Sequence, residues 1–77
     1  MKYQGHKNWN HWNVALWIAN DWKAYKHADY CVKTALNRDQ AARFVLAYCH
    51  KTWGPKTPDG APFSFTSVRA ALANWGK

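Results

Sequence analysis

The sequence contains no glutamate and only four aspartates among its 77 residues. Eleven lysines and arginines oppose them, so the formal net charge is +7 at pH 7. A protein that mimics duplex DNA needs rows of carboxylates, and that class is therefore excluded. The uncompensated positive charge favours polyanionic partners instead, with nucleic acid first and an acidic protein face second.

Long apolar runs are also missing. The longest run, residues 14–19, has six residues, whereas a membrane-spanning helix needs about 20. Residues 1–8 are polar and lack the apolar core of a secretory signal. The two cysteines, Cys31 and Cys49, agree with a reducing compartment and with free thiols. We therefore expect a protein of the host-cell cytoplasm that makes no membrane contact.

Aromatic residues, by contrast, are abundant, at 17% of the chain with six tryptophans. A chain of this length buries only about 60% of the surface that its unfolded form exposes. Its stability must therefore come from a few large side chains packed into one core. This composition excludes a disordered chain and predicts a single domain.

Apolar residues recur at three- and four-residue spacing, which is typical of helices with one buried side. The spacing predicts an extended arm followed by four helices, over residues 1–10, 11–20, 22–36, 38–53 and 67–75. Asp21 is a preferred residue for capping a helix, so we expect it to separate the first two helices. A single bent helix is the alternative. Asn37 is expected to cap the third helix.

All three prolines lie in residues 54–62, which predicts a stiff loop before the last helix. Thr66 or Ser67 is expected to cap that helix. The sequence therefore predicts a small all-α domain of three to four helices.

Two segments match a pattern that we associate with a known group of proteins. They read Tyr3-x-Gly5-x-x-Asn8 and Trp12-Asn13-Val14-Ala15-Leu16-Trp17-Ile18-x-Asn20-Asp21. This opening resembles that of a family of short, uncharacterised proteins common on phages and plasmids. The turn over residues 57–60 is a second, weaker match. The resemblance implies a mobile-element origin and an accessory role, and it supplies no catalytic residues.

The chain departs from the family pattern at two positions. His11 stands where the pattern has threonine, and His6 stands where it has an aromatic residue. The usual cap of the first helix is therefore altered, and we expect Asn10 to replace it.

One face of the second helix carries mainly basic residues. At 3.6 residues per turn, five side chains share about a third of its circumference: Lys23, Lys26, His27, Tyr30 and Lys33. Such a strip can neutralise phosphates, and Tyr30 can stack on an unpaired base. We add Arg43 and Trp22 to this candidate binding set, with Trp22 as the tryptophan expected to be exposed. The alternative is a solvated face that serves solubility.

The residues of the opening motif have two interpretations. They either bind a partner or build the core and cap the helices: Asn8, Trp12, Asn13, Trp17, Asn20 and Asp21.

Metal binding and catalysis find little support. His27 and Cys31 share a helical face, but no paired-ligand motif of a zinc site is present. The aspartates are dispersed, and each occupies a plausible cap or turn. We therefore expect a non-enzyme that needs no cofactor and no metal.

Three functions follow from these observations. The first is a mobile-element accessory protein that binds and blocks a host protein or ribonucleoprotein complex, as an anti-CRISPR inhibitor does. The second is a basic protein that binds single-stranded nucleic acid or duplex backbone. The third is a virion structural or assembly component, which would self-associate. The oligomeric state is left open by the sequence.

Overall fold

A computed structural model of the protein describes residues 8–73 and 75. These residues form no strand, and their four helices are α1 (Trp9–Asn20), α2 (Trp22–Thr34), α3 (Arg38–Trp53) and α4 (Phe65–Ala71). The predicted small all-α domain is confirmed. No helix in this part of the chain is both long and apolar enough to span a membrane.

The first helix begins earlier than predicted. The Asn8 side chain accepts a hydrogen bond from the His11 backbone N–H at 3.0 Å, so the helix starts at Trp9. The expected cap, Asn10, instead lies inside the first turn, and that prediction is wrong. The last residues assigned to the arm therefore belong to the cap and first turn of α1, while residues 1–7 lie outside the described residues.

Asp21 separates α1 from α2. Its backbone is extended, and its Oδ1 accepts a hydrogen bond from the Ala24 N–H at 3.0 Å. The two segments are therefore separate helices, as the sequence favoured, and not one bent helix.

The second helix ends two residues before the predicted end. Ala35 has an extended backbone, and the Leu36 N–H donates to Gln40 Oε1 at 2.8 Å. Asn37 caps α3 as expected, by accepting a hydrogen bond from the Gln40 N–H at 2.8 Å. Because of these side-chain bonds, residues 35–37 lead into α3 and do not continue α2. Helix α3 itself spans the predicted residues.

The last helix also differs from the prediction. Ser64 caps it, and Ser67 completes a reciprocal capping box, so the helix starts before either Thr66 or Ser67 could cap it. It ends at Ala71, because the next amides bond to carbonyls three residues back. The Arg38 side chain and the Trp75 N–H both donate to the Leu72 carbonyl, which is therefore satisfied without a further helical turn.

The four helices pack as a closed ring. Each helix contacts the next one in the chain, and the contact between α4 and α1 closes the ring. The core is built from small and medium side chains of all four helices and the loop, including Val14, Ile18, Val45, Val68 and Leu72. Cys31 and Cys49 are buried and free.

Candidate functional site

The basic face of α2 points away from the core. The helix buries Ala24, Ala28 and Cys31, which turns the opposite side towards solvent. Four of the five predicted residues on that side are exposed and His27 is half-buried; the exposed ones are Lys23, Lys26, Tyr30 and Lys33. The periodicity of α2 therefore brings the predicted strip together.

An open groove of about 540 Å³ runs between this face and α3. Its walls are His27, Tyr30, Cys31, Thr34, Phe44, Ala47, Tyr48 and Lys51. Tyr30 is 65% exposed and Phe44 is 51% exposed. Two large rings therefore line a concave surface without burying themselves in it.

The side chains at the floor of the groove pack against one another. The His27 ring stacks on Tyr48 with centroids 4.5 Å apart, and its Nε2 lies 3.4 Å from Cys31 Sγ. Burial raises the pKa of the Cys31 thiol, and it raises the pKa of Cys49 to about 12. Both thiols therefore ionise less readily than an exposed cysteine, which lowers their reactivity as nucleophiles.

No group of three or more metal-ligating side chains occurs among the residues that the structure describes. The contact between His27 and Cys31 is the arrangement that the sequence suggested for a metal, and here it joins two residues of one helix. It acts as packing at the base of the groove.

Positive charge surrounds the groove. Lys51 lines it, whereas Lys23, Lys26 and Lys33 of α2 lie outside its lining. The carboxylate of α2, Asp29, pairs with Lys33 at 3.0 Å and accepts a hydrogen bond from the Trp75 indole at 3.2 Å. Those two bonds, with Lys33 first, lower the pKa of Asp29. Lys23, Lys26 and Lys51 form no ion pair within residues 8–73 and 75. Lys33 is thus partly neutralised, while the other cations remain available to a ligand.

Of the predicted set, His27 and Tyr30 line the groove and the other five residues lie outside it, Arg43 and Trp22 farthest from the strip's centre in sequence. Arg43 sits over the Phe65 ring, with 5.7 Å from Cζ to the centroid, and it is not among the residues that line the groove. Lys51 takes its place in the groove. Trp22 lies at the start of α2, exposed as expected.

Six residues that line the groove are not in the set predicted from the sequence. Three of them are large side chains of α3: Phe44, Tyr48 and Lys51. Their spacing of four and three residues places them on one helical face, which was a usable signal. That this face borders α2, however, depends on how the two helices pack.

The motif residues of α1 hold the proline-rich loop. Asn13 Nδ2 and Trp17 Nε1 both donate to Asp59 Oδ2 at 2.9 Å. The Thr57 hydroxyl donates to Asn13 Oδ1 at 2.6 Å. The bonds from Asn13 and then Trp17 lower the pKa of Asp59. Because Asn13 is only 1% exposed, this network belongs to the fold.

The other motif residues also have local positions that the structure explains. Asn8 and Asp21 are helix caps, and Asn20 is exposed at the end of α1. Trp12 lines a second crevice, of about 310 Å³, together with Leu16 and Trp75. Most of the motif therefore acts in capping and packing.

The fold and the groove together define a small all-α protein with one basic, aromatic-lined surface. The chain belongs to DUF7249, a family of unknown function whose pattern matches residues 1–74. Nothing among curated proteins or solved structures matches it.

Proposed function

We propose that this protein is a non-enzymatic binding protein that holds single-stranded nucleic acid in the groove between α2 and α3. The observation that carries the proposal is the pair of exposed rings, Tyr30 and Phe44, in a groove that Lys51 also lines. Lys51 forms no ion pair among the residues that the structure describes. Lysines attract the phosphates, and ring faces accept unpaired bases irrespective of sequence.

Single strands fit this surface better than duplex backbone does. A duplex stacks its bases internally and offers only phosphates to a lysine strip, so the rings of Tyr30 and Phe44 would face nothing. Three arginines in the whole chain are few for reading base edges, which relies mainly on bidentate arginine contacts.

The first test measures binding of a fluorescently labelled oligothymidylate of about fifteen nucleotides by anisotropy. Phe44→Ala should weaken binding about tenfold, since one stacked base is worth about 1–3 kcal/mol. The matched control is Leu36→Ala, which truncates an apolar residue that is 87% exposed and outside the groove. Equal affinities for both variants and the wild type would reject the groove as the site.

Salt dependence provides the second test. The logarithm of the affinity should fall linearly with that of the salt concentration, with a slope of about 0.7 for each phosphate contacted. Lys51→Gln should reduce the slope by about 0.7, whereas Lys56→Gln, in the loop, should leave it unchanged. Identical slopes for the two variants would show that charge acts through the general field alone.

A second candidate is the host-directed inhibitor that the resemblance to phage and plasmid proteins favours. The exposed Trp22 beside Lys26 supports it, because tryptophan next to a cation is a common composition of interface hot spots. A tagged copy should then retain a defined host protein from a nuclease-treated lysate. Loss of every partner after nuclease would reject direct protein recognition.

A further inference from the structure

A second aromatic platform lies at the start of α2, outside the groove. Trp22 is 69% exposed, and its ring is parallel to that of Tyr25 within 7°, with centroids 6.3 Å apart. Tyr25 in turn contacts the Trp75 ring at 5.1 Å, and Trp75 bonds to Asp29. The Trp22 indole therefore contacts Tyr25 within the protein, while much of its surface stays in solvent.

This platform lines up with the groove along a single helix. Trp22, Lys26 and Tyr30 follow each other at four-residue spacing, so the two rings lie about 12 Å apart along the axis with the lysine between them. The Lys26 ammonium is 5.4 Å from the centroid of the Trp22 ring. All three side chains are exposed. The surface of α2 thus alternates ring, cation and ring.

We infer that a strand bound in the groove continues along α2 and places a second base on Trp22. That base displaces the Lys26 ammonium from its position over the ring, and Lys26 then contacts the phosphates between the two bases. This inference rests on the proposed function. A stacked strand rises about 3.4 Å per nucleotide, so rings about 12 Å apart receive bases three to four steps apart. The occupied length is therefore about four to five nucleotides.

The spacing of rings and cation favours nucleic acid over an acidic protein as the occupant. The carboxylates near this side of α2 are bonded within the protein, since Asp21 accepts a hydrogen bond from the Ala24 N–H and Asp29 is bonded to Lys33 and Trp75. A regular spacing of ring and cation matches a polymer that itself repeats base and phosphate. An acidic protein would need carboxylates in one fixed arrangement.

The test is a length series of oligothymidylates, from two nucleotides to about ten, with wild type and Trp22→Ala. The wild-type affinity should rise steeply up to about five nucleotides and only slowly beyond that length. Trp22→Ala should weaken binding of the longer oligonucleotides about tenfold and leave the dinucleotide unaffected. Trp22→Phe, which keeps an aromatic face, should restore most of the loss and controls for folding.

The outcomes separate this inference from the function on which it rests. Failure of the wild type to bind any length would reject nucleic-acid binding itself. Binding at all lengths with no effect of Trp22→Ala, or an equal loss for the dinucleotide, would overturn the second base site and leave the groove in place. Competition by polyaspartate as strong as that by oligothymidylate at equal charge would also overturn it, because rings and bases would then contribute nothing.

Discussion

On the α1 side of the molecule, the indole of Trp17 and the amide of Asn13 converge on one carboxylate, Asp59. On the α2–α3 side, the rings of Tyr30 and Phe44 keep more than half of their surface in solvent. Both sides use aromatic and polar residues. On the α1 side the polar groups form hydrogen bonds within the protein, whereas on the α2–α3 side the rings are exposed to solvent.

The difference separates the opening motif, which contributes to the fold, from the groove that we propose as the binding site. Asn13 and Trp17 belong to the motif that carries the resemblance, and they anchor a loop more than forty residues away in the chain. The groove residues lie outside that motif.

The largest expected effect comes from removing the buried hydrogen bonds on the α1 side. Asn13→Ala removes the acceptor of the Thr57 hydroxyl and one donor to Asp59 in a buried place. We expect the free energy of unfolding to fall by about 2–3 kcal/mol, as measured by urea denaturation. Oligonucleotide affinity, measured on the folded fraction, should stay unchanged. A change in affinity as large as the loss of stability would show that the two sides are not independent.

The converse change on the α2–α3 side should affect binding alone. Tyr30→Ala truncates an exposed ring and should weaken oligothymidylate binding about tenfold. The unfolding free energy should change by no more than about 0.5 kcal/mol, as for other exposed residues. Urea denaturation and anisotropy on the same preparation test both parts. A destabilised variant would place Tyr30 in the fold and remove it from the proposed site.

A smaller effect is expected from acid, which should lower stability through the Asp59 carboxylate on the α1 side. The pKa of Asp59 is lowered in the folded state by its bonds to Asn13 and Trp17. The ionised carboxylate therefore contributes stability that is present above the ordinary carboxyl pKa of about 4 and is lost as the pH falls through the lowered folded value. Asp59→Asn should make unfolding less sensitive to pH below about pH 4. The same acid sensitivity in both proteins would contradict this account.

The smallest expected effect concerns an ion pair that belongs to neither side. Arg69 Nε lies 2.8 Å from Asp39 Oδ1 at the surface between α4 and α3. Exposed pairs of this kind contribute about 0–1 kcal/mol. Asp39→Asn should therefore lower the melting temperature only slightly, and high salt should reduce the difference further. A loss similar to that of Asn13→Ala would mean that surface charge is more important here than the buried network.

Helices were predictable from the sequence because their signals are local. The spacing of apolar residues located all four, and Asp21 and Asn37 act at the predicted caps. The caps that were missed, Asn8 and Ser64, each have a similar polar neighbour within three residues. The path of the preceding chain determines which of the two polar residues caps the helix, and that path cannot be predicted from the local sequence.

The candidate site was predictable in part for the same reason. One helix determines the strip on α2, so its periodicity was sufficient. The wall made by Phe44 and Lys51 depends on how α3 packs against α2, which is a property of two helices. The bond between Asn13 and Asp59 spans 46 residues. Both residues stood out in the sequence, yet no local rule connects them.

The contact between α1 and α4 closes the ring of helices, and it has a kinetic consequence. The other helix contacts join neighbours in the chain, whereas this closure brings together its two distant parts and costs the most chain entropy. The bonds of Asp59 to Asn13 and Trp17 hold the proline-rich loop against α1 beside this closure. When they break, the loop should open before the helices separate, so amide exchange in the loop should be faster than in α2 and α3.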